Sequence, residues 1–140
     1  MAKRAHILVA EDEETDVLLL RHALNKAGLP HELIVAQDGN EAIEYLRGEP
    51  PYADRTQHPL PALVLLDLKM PEMTGFDVLA WLQNRPDLKE LPAVVLTSSA
   101  DEADRQRAQQ LGAADYFVKP ESVQGLIQVV QALHAKWLVR

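Results

Sequence analysis

The sequence predicts a single α/β domain, residues 1–140, built on a doubly wound parallel sheet, and three observations support that fold class. Five short apolar runs alternate with five stretches in which apolar residues repeat at helical spacing, as in β-α units joined by right-handed crossovers. The unbroken apolar run 62–66 lies in a segment bounded by Pro61 and Pro71, which is typical of a central strand buried on both faces. A length of 140 residues with 47% hydrophobic residues suits one core.

The five predicted strands are rich in Leu, Val, Ile and aromatic residues and are short enough to cross one sheet. They are expected at 7–10, 33–36, 62–66, 93–96 and 115–118. The first helix opens in the acidic segment 11–14 and stops at Gly28. Asp38 and Glu41 have the spacing of a capping box, which predicts the start of the second helix.

The last three helices differ in how apolar they are. The turn 72–75 leads into the third helix, which stops before Pro86. Ser99 and Glu102 predict a capping box for the fourth. Its apolar stripe is weak, consisting of Ala103, Ala108 and Leu111. The closing helix is more apolar than one sheet face requires, with Val123, Leu126, Ile127, Val130, Leu133, His134, Trp137 and Leu138 at helical intervals.

Composition excludes several classes of function. The formal net charge of −7, with basic residues scattered along the chain, argues against a sequence-independent nucleic-acid binder or a ligand of anionic membranes. The chain has no cysteine, so disulfides, thiolate metal sites and thiol nucleophiles are excluded. No signal peptide or membrane-spanning stretch is recognised. We therefore expect a cytoplasmic protein.

Chemically active side chains stand at four of the predicted strand ends. They are Glu11, Asp12, Asp67, Thr97 and Lys119, and a parallel sheet brings all of these ends to one edge. Three carboxylates brought together repel one another, so a hard divalent cation such as Mg²⁺ is implied. Asp67 can attack phosphorus as a carboxylate nucleophile. The Lys119 ammonium and Thr97 hydroxyl could then stabilise the transferring phosphoryl group.

These motifs resemble the response regulator receiver domain, the CheY-like phosphoacceptor module of two-component signalling. The segments that carry the resemblance are 9–12, 66–71 with Gly75, 96–98 and 118–120, which read VAED, LDLKMP, LTS and VKP. The resemblance runs from Ile7 to the final helix. It implies a flavodoxin-like (βα)₅ fold with strand order 2-1-3-4-5.

The resemblance also implies roles for the residues that bind metal and phosphate. Asp67 would be the phosphoacceptor and Asp12 a direct Mg²⁺ ligand. Glu11 would hold the metal through water, and the backbone carbonyl of Lys69 would complete the protein ligands. Lys119 would pair with the phosphoryl group.

Further roles concern switching and the lifetime of the phosphorylated state. Thr97 would follow the phosphoryl group and Tyr116 would be an aromatic rotamer switch. Lys69 and Ser99 occupy the positions that tune dephosphorylation. The peptide bond to Pro120 is expected to be cis.

The resemblance implies a histidine kinase, or a small phosphodonor, as the source of the phosphoryl group. It also implies a phosphoacceptor that dephosphorylates itself rather than a turnover enzyme. The loop 48–61 is longer than in a minimal receiver and resembles that of stand-alone, phytochrome-associated regulators, which points to a phytochrome-type kinase.

No output domain is recognised after the closing helix. Output is expected on the face formed by the 99–111 helix, the Tyr116 strand and the closing helix, by homodimerisation through an apolar surface around Trp137. The alternative is that Trp137 folds back onto its own domain.

Three other functions fit parts of the pattern. A flavin electron carrier would share the fold but needs a Ser/Thr/Gly-rich loop after the first strand, where this chain is acidic. A haloacid-type phosphatase places a second acid two residues after its nucleophile, where this chain has Lys69. A receiver-shaped interaction module that is never phosphorylated is the third alternative.

Overall fold

The computed structural model describes residues 4–139 and is centred on one sheet of five parallel strands. The strands are β1 (His6–Ala10), β2 (Glu32–Ala36), β3 (Leu63–Leu66), β4 (Ala93–Thr97) and β5 (Asp115–Val118). Their order is β2-β1-β3-β4-β5, which confirms the predicted topology. All four residues of the central strand β3 are buried, as its unbroken apolar sequence predicts.

Five α-helices cover the two faces of the sheet. They are α1 (Glu14–Lys26), α2 (Gly39–Arg47), α3 (Gly75–Gln83), α4 (Glu102–Gln110) and α5 (Val123–Leu133). A 3₁₀ turn, Pro86–Leu88, follows α3, and a π-helical turn, His134–Leu138, continues α5. Helices α1 and α5 share one apolar core with the sheet, and α2, α3 and α4 share the other. No helix in the described part of the chain is long and apolar enough to cross a membrane.

The helix starts agree only partly with the predicted caps. The Asp38 carboxylate accepts a hydrogen bond from the Glu41 amide at 2.8 Å, which confirms that cap. The predicted capping box at Ser99 is wrong, because Asp101 caps α4 by accepting from the Ala103 amide. Asp101 lies directly before the helix and its carboxylate serves this position as well as a hydroxyl does. The Ser99 hydroxyl is thereby free to bond elsewhere.

The apolar surface predicted on the closing helix is also wrong. Val130, Leu133 and Leu138 are buried at 2%, 1% and 3% exposure, and Trp137 is half-buried against the same core. The reason is that α5 packs against α1 as well as the sheet, so it needs more than one apolar side. The π-helical turn places Leu138 in that core. The alternative in which Trp137 folds back onto its own domain is therefore correct.

The long loop between α2 and β3 is tied to the domain by specific contacts. The Tyr45 hydroxyl, on α2, donates to the Pro59 carbonyl at 2.8 Å. The Arg55 guanidinium donates to the carbonyls of His58 and Leu46. These bonds hold 48–61 against α2 and the start of β3. The loop therefore lies at the edge of the sheet opposite the carboxyl ends of the strands.

Candidate functional site

The structure brings the four chemically active strand ends to one edge of the sheet. Glu11 follows β1, Asp67 follows β3, Thr97 ends β4 and Lys119 follows β5. Two backbone bonds extend the strand pairing into the site: the Asp67 amide donates to the Ala10 carbonyl at 3.1 Å, and the Lys119 amide donates to the Thr97 carbonyl at 2.7 Å. The sheet therefore fixes the backbone of the residues that carry the site.

Three carboxylates meet at this edge, those of Glu11, Asp12 and Asp67. One oxygen from each lies within 4.8 Å of the others. Glu11 and Asp67 are buried at 6% and 5% exposure, whereas Asp12 is exposed. The Glu13 amide donates to the Glu11 carboxylate, and the Lys69 amide donates to Asp67 Oδ1 at 3.1 Å. These hard oxygen donors with one side open to solvent suit a divalent cation that keeps several waters.

The Lys119 ammonium binds three carboxylates. Its Nζ lies 2.7 Å from Glu11 Oε1, 2.7 Å from Asp16 Oδ2 and 2.9 Å from Asp67 Oδ2. The predicted site takes only Glu11 and Asp12 from the acidic segment that opens the first helix, so Asp16 is absent from it. The available signal was that Asp16 falls in the first turn of α1, which begins at the functional edge.

Burial and ion pairing shift the ionisation of this cluster. Burial raises the pKa of Glu11 to about 7, although its hydrogen bonds with Lys119 and the Glu13 amide oppose that shift. Burial acts to lower the pKa of Lys119, but the hydrogen bonds to Asp16, Glu11 and Asp67 outweigh it and raise that pKa above its usual value. Lys119 is therefore held as an ammonium ion among these carboxylates.

Thr97, Ser99 and Tyr116 form a hydrogen-bonded group beside the acidic cluster. Thr97 is fully buried, and its hydroxyl oxygen accepts from the Ser99 amide at 3.4 Å. The Tyr116 ring is buried, with its hydroxyl donating to the Ser99 carbonyl at 2.9 Å. Arg105 of α4 covers that ring, with its guanidinium carbon 4.7 Å from the centroid. Ser99 thus forms hydrogen bonds with Thr97, with Tyr116 and with Asp104 of α4.

Lys69 places its backbone in the site and its side chain at the rim. The side chain is 64% exposed, and its Nζ lies 4.0 Å from Asp104 Oδ2. The same Asp104 oxygen accepts from the Ser99 hydroxyl at 2.6 Å. Asp104 therefore links the two residues expected to tune dephosphorylation.

One expectation drawn from the resemblance is wrong. Among the described residues the cis peptide is that between Pro50 and Pro51, so the peptide between Lys119 and Pro120 is trans. Trans is the preferred form of an X-Pro bond by about 0.5–1 kcal/mol. Lys119 reaches the carboxylates from this trans backbone.

The chain is similar to known proteins over most of its length. Residues 7–131 match the family model described as the response regulator receiver domain. Response regulator Rcp1 of Synechocystis sp. PCC 6803 is 36% identical over 132 residues, covering 94% of this chain and 88% of that protein.

Two solved structures show the same similarity. The phosphorylated cyanobacterial phytochrome response regulator RcpA superposes with a TM-score of 0.87 at 36% identity, covering 97% of this chain and 95% of that one. The Mn²⁺-bound form of Rcp1 superposes with a TM-score of 0.82 at 36% identity, covering 96% and 94%. The similarity thus extends over nearly the whole of each chain.

Proposed function

Because this chain belongs to the response regulator receiver domain family, we propose that it accepts a phosphoryl group on Asp67 and signals in a two-component phosphorelay. The observation that carries the proposal is the setting of Asp67: a buried carboxylate held by the Lys69 amide at one oxygen and by the Lys119 ammonium at the other. Intact-mass analysis after incubation with acetyl phosphate and Mg²⁺ tests it. A gain of one phosphoryl group is expected, and an unchanged mass would favour the interaction module that is never phosphorylated.

The proposed transfer follows from the chemistry of a carboxylate. An Asp67 oxygen attacks phosphorus, the bond from phosphorus to the donor breaks, and the donor keeps that electron pair. An acyl phosphate results, which water later hydrolyses. Lys119 offsets charge on the phosphoryl oxygens and Thr97 offers a neutral hydroxyl. We expect the protein to dephosphorylate itself and not to turn over a substrate.

We assign the divalent cation as Mg²⁺, held by Asp12, Asp67, the Lys69 carbonyl and, through water, Glu11. When bound, Mg²⁺ would neutralise charge that develops on the phosphoryl oxygens. The three oxygen ligands within 4.8 Å of one another support the assignment, as does the Mn²⁺-bound form of Rcp1.

Replacing Asp12 by Asn should weaken Mg²⁺ binding at least about tenfold, because a charged ligand becomes neutral. Isothermal titration calorimetry on the unphosphorylated protein measures this. Glu90→Gln removes one exposed carboxylate from the loop before β4, at the opposite edge, and should bind Mg²⁺ as the wild type does. Equal affinity of Asp12→Asn and wild type would contradict the ligand assignment.

The side chain of Lys69 should slow hydrolysis of the acyl phosphate by obstructing the approach of water. Lys69→Ala should therefore dephosphorylate faster, by about fivefold if the barrier falls by about 1 kcal/mol. The decay of the phosphorylated mass with time gives the rate. Lys89→Ala, an exposed lysine at the far edge, is the control. Identical half-lives for Lys69→Ala and wild type would exclude this role.

We propose that the signal leaves the site through α4, β5 and α5. Support comes from the weak anchoring of α4, in which Ala108 is the buried residue, and from the chain of contacts that joins Thr97, Ser99 and Tyr116. The homodimer stays a prediction with less support, because the apolar residues expected to form it are buried. Val118 and Val123, each 38% exposed, remain on that face.

The partner that we propose is a sensor histidine kinase, and more specifically one of the phytochrome type. The finer proposal is supported by the similarity to RcpA, a cyanobacterial phytochrome response regulator, and by the length of the loop at 48–61 between α2 and β3. Such a kinase would act on this protein in the cytoplasm.

A further inference from the structure

We propose that Asp16 is a positioning residue that holds the Lys119 ammonium against the phosphoryl group when the site is loaded. This inference rests on the proposed function and adds a residue to it. Its basis is the 2.7 Å contact between Lys119 Nζ and Asp16 Oδ2, which is as short as the contact to Glu11 and shorter than the contact to Asp67.

The three partners of the ammonium are not equivalent. Glu11 and Asp67 also belong to the group of carboxylates that can share a cation, whereas Asp16 does not. A bound cation would compete with Lys119 for the negative charge of Glu11 and Asp67. Phosphorylation would convert the Asp67 carboxylate into an acyl phosphate. Asp16 is then the carboxylate among these partners that neither event changes. Lys119 therefore keeps a fixed counter-ion on one side while its other protons turn to the phosphoryl oxygens.

The packing of α1 holds the backbone of Asp16 in place. It lies in the first turn of α1, where its amide donates to the Glu13 carbonyl at 3.0 Å. Val17, the next residue, and Leu20, one turn later, are buried at 7% and 4% exposure and fix the helix against the sheet. A carboxylate is also favourable near a helix N-terminus. Asp16 can thus act as a rigid anchor for a long, flexible side chain.

If Asp16 acted only through its negative charge, neutralising it would change the affinity for the phosphoryl group in the opposite direction. An anionic phosphoryl group binds beside Asp16, so removing that negative charge would strengthen anion binding if repulsion were its main effect. Removing an anchor would weaken binding, because Lys119 would lose the contact that orders it. The sign of the change therefore separates the two roles.

The test uses beryllofluoride, a phosphoryl mimic, with saturating Mg²⁺, and measures its affinity by ¹⁹F NMR. Asp16→Asn should weaken binding about fivefold, as expected for loss of a partly exposed charge-assisted hydrogen bond. Glu14→Gln removes an exposed carboxylate from the same turn and should leave the affinity unchanged. In a Lys119→Met background, Asp16→Asn should have no further weakening effect, since Asp16 acts through Lys119.

Unchanged or tighter binding by Asp16→Asn would overturn the positioning role, and so would a weakening that persists in the Lys119→Met background. Both results would leave the proposed function intact, because wild type would still bind beryllofluoride. Failure of wild type to bind beryllofluoride and to be phosphorylated would instead overturn both proposals. Melting temperatures of the variants show that each one is folded.

Discussion

Asp67→Asn should abolish phosphorylation, which is the largest functional effect expected of any single substitution in this chain. The amide oxygen of Asn is a poor nucleophile. The buried Asp67 is the carboxylate that accepts hydrogen bonds from both the Lys69 amide and the Lys119 ammonium. Intact-mass analysis with acetyl phosphate and Mg²⁺ should show no phosphorylated form. Asp54→Asn, the same change at an exposed position in the loop 48–61, should be labelled like wild type.

Loss of labelling in Asp67→Asn should not come from unfolding. Lys119 keeps Glu11 and Asp16 as partners in that variant. The charge of Asp67 also contributes to the raised pKa of Glu11, after the larger effect of burial, so removing it relieves repulsion within the cluster. A melting temperature at or above that of wild type is expected. Undiminished labelling of the folded variant would refute Asp67 as the phosphoacceptor.

The sheet and its functional edge were predictable because their signals are local in the sequence. The apolar runs of β1, β3 and β4 are buried on both faces. The predicted bounds of β5, 115–118, agree with the structure. β1 and β2 each begin one residue earlier than predicted, at His6 and Glu32. These first residues of the two strands pair with each other although neither is apolar. Parallel topology then fixes which side chains meet, so Asp67 and Lys119 come together although 52 residues separate them.

Features that depend on packing between distant segments were not predictable. Asp16 lies 103 residues from Lys119, and its place in the first turn of α1 puts it near the functional edge without showing that it meets that lysine. Helical periodicity shows how many residues of α5 are apolar but not that α1 covers some of them. The predicted exposed surface around Trp137 is wrong for this reason. The cap of α4 was misassigned because Ser99 and Asp101 both suit an N-terminal position.

Gly75→Ala should destabilise the protein and displace the phosphoacceptor. Gly75 begins α3 directly under the segment that carries Asp67. A Cβ atom here would overlap the Asp67 carbonyl oxygen and would lie 3.0 Å from the Asp67 carbonyl carbon and 3.1 Å from Leu68 Cα. All three atoms belong to the backbone, so relief requires the chain at Asp67 to shift. Overpacking of this kind costs about 1–3 kcal/mol, more than the 0.5–1 kcal/mol, roughly, that Ala gains over Gly in a helix.

Thr74→Ala, one residue earlier, separates this displacement from a general weakening of α3. Thr74 forms a capping box with Asp77, and its loss should cost about 1 kcal/mol without moving Asp67. Urea unfolding should therefore show both variants destabilised. Phosphorylation by acetyl phosphate, measured well below the unfolding transition, should be slowed in Gly75→Ala and normal in Thr74→Ala. Normal phosphorylation of a stable Gly75→Ala protein would show that the backbone at Asp67 tolerates a side chain at this position.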